Sequence, residues 1–143
     1  MGVTLALDVG EKRIGVACSD PLGIAALPLD AIARTNLEAD LSAVVALAES
    51  RGAEAVVVGL PKTLRNEIGQ QARKVLAFAR ALEKRAPCRV ETWDERLTTA
   101  EAARAFQGVS RKKRRQQRQK GTLDSAAAAL ILRGYLASRS SGK

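Results

Sequence analysis

Residues 3–9 alternate strictly. Val3, Leu5, Leu7 and Val9 fall on one side and Thr4, Ala6 and Asp8 on the other, which is the two-residue period of a β-strand. The alternation returns after Gly10-Glu11-Lys12, where Ile14, Val16 and Cys18 oppose Gly15, Ala17 and Ser19, so a hairpin is expected with one face of small residues on each strand. A third strand is expected over residues 24–33. From Leu37 the period lengthens: Leu37, Leu41, Val44, Val45 and Ala48 share one side of a helix reaching Ser50, with Asn36 as its cap. The apolar run Ala55-Val-Val-Val-Gly59 ahead of Leu60-Pro61 predicts a strand buried on both faces of a parallel sheet. A second helix over residues 68–85 stops at Ala86-Pro87, and a fifth strand over 89–93, a short helix over 98–106 and a final helix over 123–138 follow. The Ser-Gly tail, residues 138–143, is expected to fray.

A meander of three strands followed by helix, strand, helix, strand and terminal helices implies an α/β fold, with a five-stranded mixed sheet flanked by helices. At 143 residues and 46% hydrophobic content the chain is expected to form one domain, residues 1–143, around a single core.

The period of the first strand puts Asp8 on the small-residue face, where a carboxylate is costly unless its charge is used. Two further acids end an element beside a distinctive local sequence: Glu95 in Asp-Glu-Arg-Leu-Thr-Thr and Asp124 in Gly-Thr-Leu-Asp-Ser-Ala-Ala-Ala. Each has a plainer reading. Asp8 precedes a glycine where a turn is due, Glu95 could cap the next helix or pair with Arg96, and Asp124 suits the positive end of a helix dipole. If the fifth strand keeps its alternation, Asp94 points away from the face that Glu95 shares. Carboxylates gathered from distant segments repel unless a cation lies among them, and hard oxygen ligands favour Mg²⁺ or Mn²⁺. The run of small residues from Ala126 to Ala129 would let the last helix approach Ala6, Gly15 and Ala17 closely, bringing Asp124 near Asp8.

Composition narrows the chemistry. The chain has no histidine, which removes Ser-His-Asp and Cys-His mechanisms and every His-ligated metal site. Cys18 and Cys88 stand far apart with no CxxC spacing, so neither a disulfide framework nor a structural zinc site is expected, and Cys18 reads as a core residue. With no long apolar run and no signal-like start, the chain is expected to be cytoplasmic, with no membrane association.

The net charge of +9 is concentrated. Arg111, Lys112, Lys113, Arg114, Arg115, Arg118 and Lys120 supply seven of the 24 basic residues, with no acid between Glu101 and Asp124. Such a run calls for a polyanion, and nucleic acid is the expected partner. The loop after Gly59-Leu60-Pro61 could offer backbone amides to phosphate with Lys62 and Arg65 adding charge, although an ordinary strand-to-helix connection explains it equally well, and Arg96 is a further candidate contact. Few aromatics are present to stack on bases, so weak sequence discrimination is expected.

Four ordered segments together resemble the YqgF (RuvX) family of the ribonuclease H-like superfamily, described as Holliday junction resolvases or pre-16S rRNA nucleases. They are Leu7-Asp8-Val9-Gly10 with Arg13-Ile14-Gly15-Val16-Ala17, then Val58-Gly59-Leu60-Pro61, then Asp94-Glu95-Arg96-Leu97-Thr98-Thr99, then Asp124-Ser125-Ala126-Ala127. The resemblance implies a ribonuclease H-like fold and gives Asp8, Glu95 and Asp124 the family's three acidic catalytic positions, binding Mg²⁺ or Mn²⁺. It implies a nuclease, in pre-16S rRNA 5′-end maturation or in junction resolution, acting on RNA or DNA with ribosomal particles as a further partner, as a monomer or homodimer. A non-catalytic RNA- or ribosome-binding module is the remaining alternative. The chain departs from the family at Leu64-Arg65-Asn66-Glu67, where a glycine is usual near position 66. Asn tolerates the left-handed backbone that such a glycine allows.

Overall fold

A computed structural model describes residues 2–60, 69–94 and 125–141, with side chains to residue 139. Its elements are β1 (Val3–Val9), β2 (Arg13–Ser19), β3 (Ala26–Ala33), α1 (Leu37–Arg51), β4 (Ala53–Leu60), α2 (Gln70–Glu83), β5 (Arg89–Asp94) and α3 (Ala126–Ser141). The strands form one sheet in the order β3-β2-β1-β4-β5. The hairpin pairs β1–β2 and β2–β3 are antiparallel, while β1–β4 and β4–β5 are parallel, so the sheet is mixed as the element order implied.

The period-two pattern decides which helix covers which face. Leu5, Leu7, Val9, Ile14, Val16, Cys18, Val56 and Val58 lie in one core with Leu41, Val44 and Ala48 of α1 and Ala72, Val75, Phe78 and Leu82 of α2. Ala6, Ala17 and Val57 lie on the other face against Ala128, Ile131, Leu132 and Tyr135 of α3. β4 is buried over six consecutive residues because both of its faces are covered. Helix α1 starts where Asn36 Oδ1 accepts the Ala39 amide at 2.9 Å and stops at Gly52, whose φ of 63° is the left-handed cap that glycine takes without strain.

Several points differ from the sequence reading. β3 begins at Ala26, not at Ile24, because Asp20 Oδ1 accepts the amides of Ile24 and Ala25 and holds them in the turn. Leu37, expected on the inner side of α1, is 47% exposed; it is the first residue of the helix and ends up outside the covered face. The tail expected to fray from residue 138 continues as helix to Ser141, with Arg139 Nη1 donating to the Tyr135 hydroxyl at 2.9 Å one turn back. The expected helix over 98–106 lies outside the described residues. Among the described residues no helix is long and apolar enough to cross a membrane.

Candidate active site

Asp8 is half-buried at the carboxyl end of β1, the central strand, on the face shared with Thr4 and Ala6. Its cross-strand partner on β2 is Gly15. Extending the Leu7–Val58 register by one residue sets it level with Gly59 on β4, and Gly59 in turn pairs with Trp93 on β5. Strands lie about 4.8 Å apart, so among the described residues the glycines on both neighbouring strands set no side chain beside the carboxylate over a strip about three strands wide. Parallel strands open ligand sites outside their carboxyl ends, and Asp8 and Gly59 both stand at such ends.

The chain beside this strip is tied down from several directions. Gly10, two residues past Asp8, bonds its amide to the Arg13 carbonyl at 2.9 Å, and a β-carbon there would lie 2.8 Å from that oxygen, so the turn needs glycine. Gln71 Nε2, in the first turn of α2, reaches the Val9 carbonyl at 3.4 Å. At the start of α3 the fully buried Ser125 accepts the Val16 amide on Oγ at 2.9 Å. That amide sits where the β2–β3 register shifts between Ile14 and Val16, and its residue follows the Gly15 that faces Asp8. A buried amide with no ladder acceptor would cost about 1–3 kcal/mol, so the serine both satisfies it and registers the helix on the sheet.

Glu95 and Asp124 lie outside the described residues, as do Lys62, Arg65, Arg96 and the basic residues Arg111, Lys112, Lys113, Arg114, Arg115, Arg118 and Lys120. Their chain neighbours are described. Glu91 and Trp93 of β5 both meet α3, through the Tyr135 hydroxyl and an edge-on ring contact at 5.7 Å. Asp94 pairs with Leu60, which lies in the core under α1 and α2, so Asp94 belongs to the face opposite Trp93 and Asp8. Asp124 directly precedes the anchored Ser125. Among the described residues no three acids, cysteines or histidines gather, since only Asp8 of the expected triad is among them.

Sequence reasoning missed the Ser125 clasp and the role of Gly59. Both had a signal, because each sits inside a motif already singled out, Asp124-Ser125 and Val58-Gly59-Leu60-Pro61. It also missed where the chain's one Trp and one Tyr go: they pack against each other across the sheet–helix interface. Trp93 Nε1 is buried with no hydrogen-bond partner among the described residues.

The family described as RuvX, Holliday junction resolvase, matches residues 2–138. A relative from Desulforudis audaxviator is 45% identical over 97% of this chain and 96% of its own, and one from Moorella thermoacetica is 47% identical over 92% of each; both are named as candidate pre-16S rRNA nucleases. Among solved structures, Thermus thermophilus RuvC superposes with a TM-score of 0.63 at 15% identity, covering 98% of this chain and 96% of that one. The Fowlpox virus resolvase bound to Holliday junction DNA gives 0.57 at 13% identity, covering 96% and 98%. These distant likenesses carry the fold, which is ribonuclease H-like. The sequence match carries the family: this chain is a member of the RuvX family.

Proposed function

We propose that this protein is a divalent-metal-dependent nuclease that hydrolyses phosphodiester bonds in nucleic acid, acting in maturation of the 5′ end of pre-16S rRNA. The observation that carries the reading is the setting of Asp8, a half-buried carboxylate at the end of the central strand with glycine on both flanking strands and the α3 clasp one residue away. A plain turn-supporting acid needs neither the cleared strip nor the anchored helix.

The donor set fits a hard cation. Asp8, Glu95 and Asp124 would hold Mg²⁺ or Mn²⁺, which when bound lowers the pKa of a coordinated water and neutralises charge on the departing oxygen. The protein's own part is positioning. The bare strip admits a phosphate group to the Asp8 carboxylate, and Ser125 fixes the helix on which Asp124 borders. Gln71 fixes the backbone just after Asp8. With no histidine in the chain, no imidazole takes part in proton transfer. Arg111, Lys112, Lys113, Arg114, Arg115, Arg118 and Lys120, with Lys62, Arg65 and Arg96, would bind the phosphate backbone without regard to sequence.

The relatives' name and the family's description point to two substrates, pre-16S rRNA and the four-way junction. A side-by-side cleavage assay on a pre-16S rRNA fragment and a four-way DNA junction, in Mg²⁺ and in Mn²⁺, decides between them. Cleavage of the RNA with at least tenfold higher kcat/KM supports a role in rRNA maturation. Preference for the junction by that margin replaces it with resolution. Metal-independent binding to both without cleavage leaves a nucleic-acid-binding module.

A further inference from the structure

Beyond the acids, one cation is wired into the backbone that follows Asp8. We propose that Arg34 is a positioning residue for the Asp8 site, fixing the turn that leaves the central strand; this rests on the role proposed for Asp8. Arg34 follows β3, and its guanidinium is a fork. Nε donates to Asp40 Oδ2 at 3.0 Å and Nη1 donates to the Gly10 carbonyl at 2.8 Å. The guanidinium carbon lies 5.6 Å from the centre of the Phe78 ring on α2, and the Arg34 amide donates to the Lys12 carbonyl at 2.9 Å. Asp40, in the first turn of α1, is only 2% exposed, and its other oxygen accepts the Thr35 amide at 3.1 Å.

With Asp40 buried and Arg34 partly exposed, the ion pair contributes little to stability alone, since an apolar pair of the same volume often serves as well. This pair does something an apolar pair cannot. It spans three elements and ends on a carbonyl two residues from Asp8. With Gln71 on Val9 and Arg34 on Gly10, both peptide carbonyls after the carboxylate are held, and the Gly10 amide is held by Arg13. A lysine could pair with Asp40 but, as a point charge, could not also reach Gly10 in the plane of a fork. Residues one step removed from a metal-binding group usually change affinity or activity by about 10- to 100-fold when lost.

Arg34→Lys therefore separates support of the fold from support of the site. It keeps a half-buried cation opposite the buried Asp40 and drops the bond to Gly10. The double variant Arg34→Met with Asp40→Leu removes both charges together and leaves no unpaired buried ion, so it serves if the lysine variant does not fold. In the folded variant, kcat on the pre-16S rRNA fragment should fall by about 10- to 100-fold with KM within about twofold. The rise in melting temperature that Mn²⁺ alone gives the wild type should need about tenfold more Mn²⁺. A cooperatively melting variant with both kcat and the Mn²⁺ response within twofold of wild type overturns the proposal, provided that Asp8→Asn is inactive in the same assay. Undiminished cleavage by Asp8→Asn would instead overturn the site assignment, and this inference with it.

Discussion

The two faces of the sheet are built from the same strands and do opposite things. Towards α1 and α2 the strands present Leu5, Leu7, Val9, Ile14, Val16, Val56 and Val58, large aliphatic groups that interlock with Leu41, Val44, Val75, Phe78 and Leu82. Towards α3 they present Ala6, Ala17 and Val57, then Asp8 between two glycines. Because successive side chains on a strand point to opposite faces, neighbouring residues belong to different regimes. Leu7 supports the fold, while Ala6 and Asp8 beside it leave room for the site. Stability and space are thus separated by one residue along the chain and by a sheet's thickness in the molecule.

Asp8→Asn should give the largest functional effect. It removes an oxygen charge from the site without touching either core, so turnover on the nucleic-acid substrate in Mg²⁺ or Mn²⁺ should drop well beyond tenfold, which is above about 1.4 kcal/mol of barrier. Binding of the nucleic acid, measured in chelator, should stay near the wild-type level because no cation is lost. A variant that retains more than a tenth of wild-type turnover removes Asp8 from the site.

The neighbouring pair Leu7 and Ala6 tests the division of labour directly. Both are fully buried. Leu7→Ala should cost about 2–5 kcal/mol of folding free energy by opening a cavity, while the folded fraction keeps its specific activity. Ala6→Leu overpacks the α3 face at a smaller cost of about 1–3 kcal/mol, and should lower specific activity because α3 is pushed off the strand that carries Asp8. Denaturant melts paired with activity per folded molecule separate the two. Equal activity losses in both variants would mean that the faces are not functionally distinct.

Much of this division was legible in the sequence because period two is a local signal. The alternation through Val3–Val9 placed Asp8 among small residues, and the same rule turned Asp94 away from that face. The β4 strand announced its double burial by an unbroken apolar run. What could not be read was anything settled by packing between distant segments. Arg34 and Asp40 are six residues apart across a strand–helix junction, and only the folded turn puts the Gly10 carbonyl beside the guanidinium. Leu37 had the helical period of a core residue, but its place at the helix start exposes it. Ser125 looked like part of a helix-start motif, and its service to an amide 109 residues away is a tertiary fact.

Ser125→Ala should be milder in stability than Leu7→Ala. The Val16 amide would remain buried without its acceptor, a loss of about 1–3 kcal/mol. The start of α3 would also lose the side-chain tie that Ser125 makes to β2. Amide hydrogen exchange should report the change, with Val16 losing more protection than Leu5 and Val56, whose loss should match only the fall in global stability. Uniform acceleration across the sheet would show that the serine contributes to global stability and not to the registry of α3.

The smallest expected effect lies at the far end of the α3 face, where a polar group closes the interface instead of opening a site. The Tyr135 hydroxyl donates to Glu91 Oε2 at 2.5 Å and, with Arg89 Nε at 3.0 Å, holds the Glu91 carboxyl below its ordinary range against the opposing effect of burial. A carboxyl whose folded pKa is depressed contributes stability above its unfolded value, about 4.3, and loses it as pH falls through the lower folded value. Tyr135→Phe keeps the ring against Trp93 and removes the donor. Since the Glu91 side chain is 38% exposed, solvent screening limits the neutral-pH cost to about 1 kcal/mol or less. The melting temperature should therefore drop by a few degrees near pH 7, and the gap to wild type should narrow as pH falls through the depressed folded value of Glu91. Arg139 also donates to the Tyr135 oxygen, at 2.9 Å. A gap that shows no narrowing as pH falls to the acid limit of folding would assign the hydroxyl's contribution to Arg139 and leave Glu91 with none.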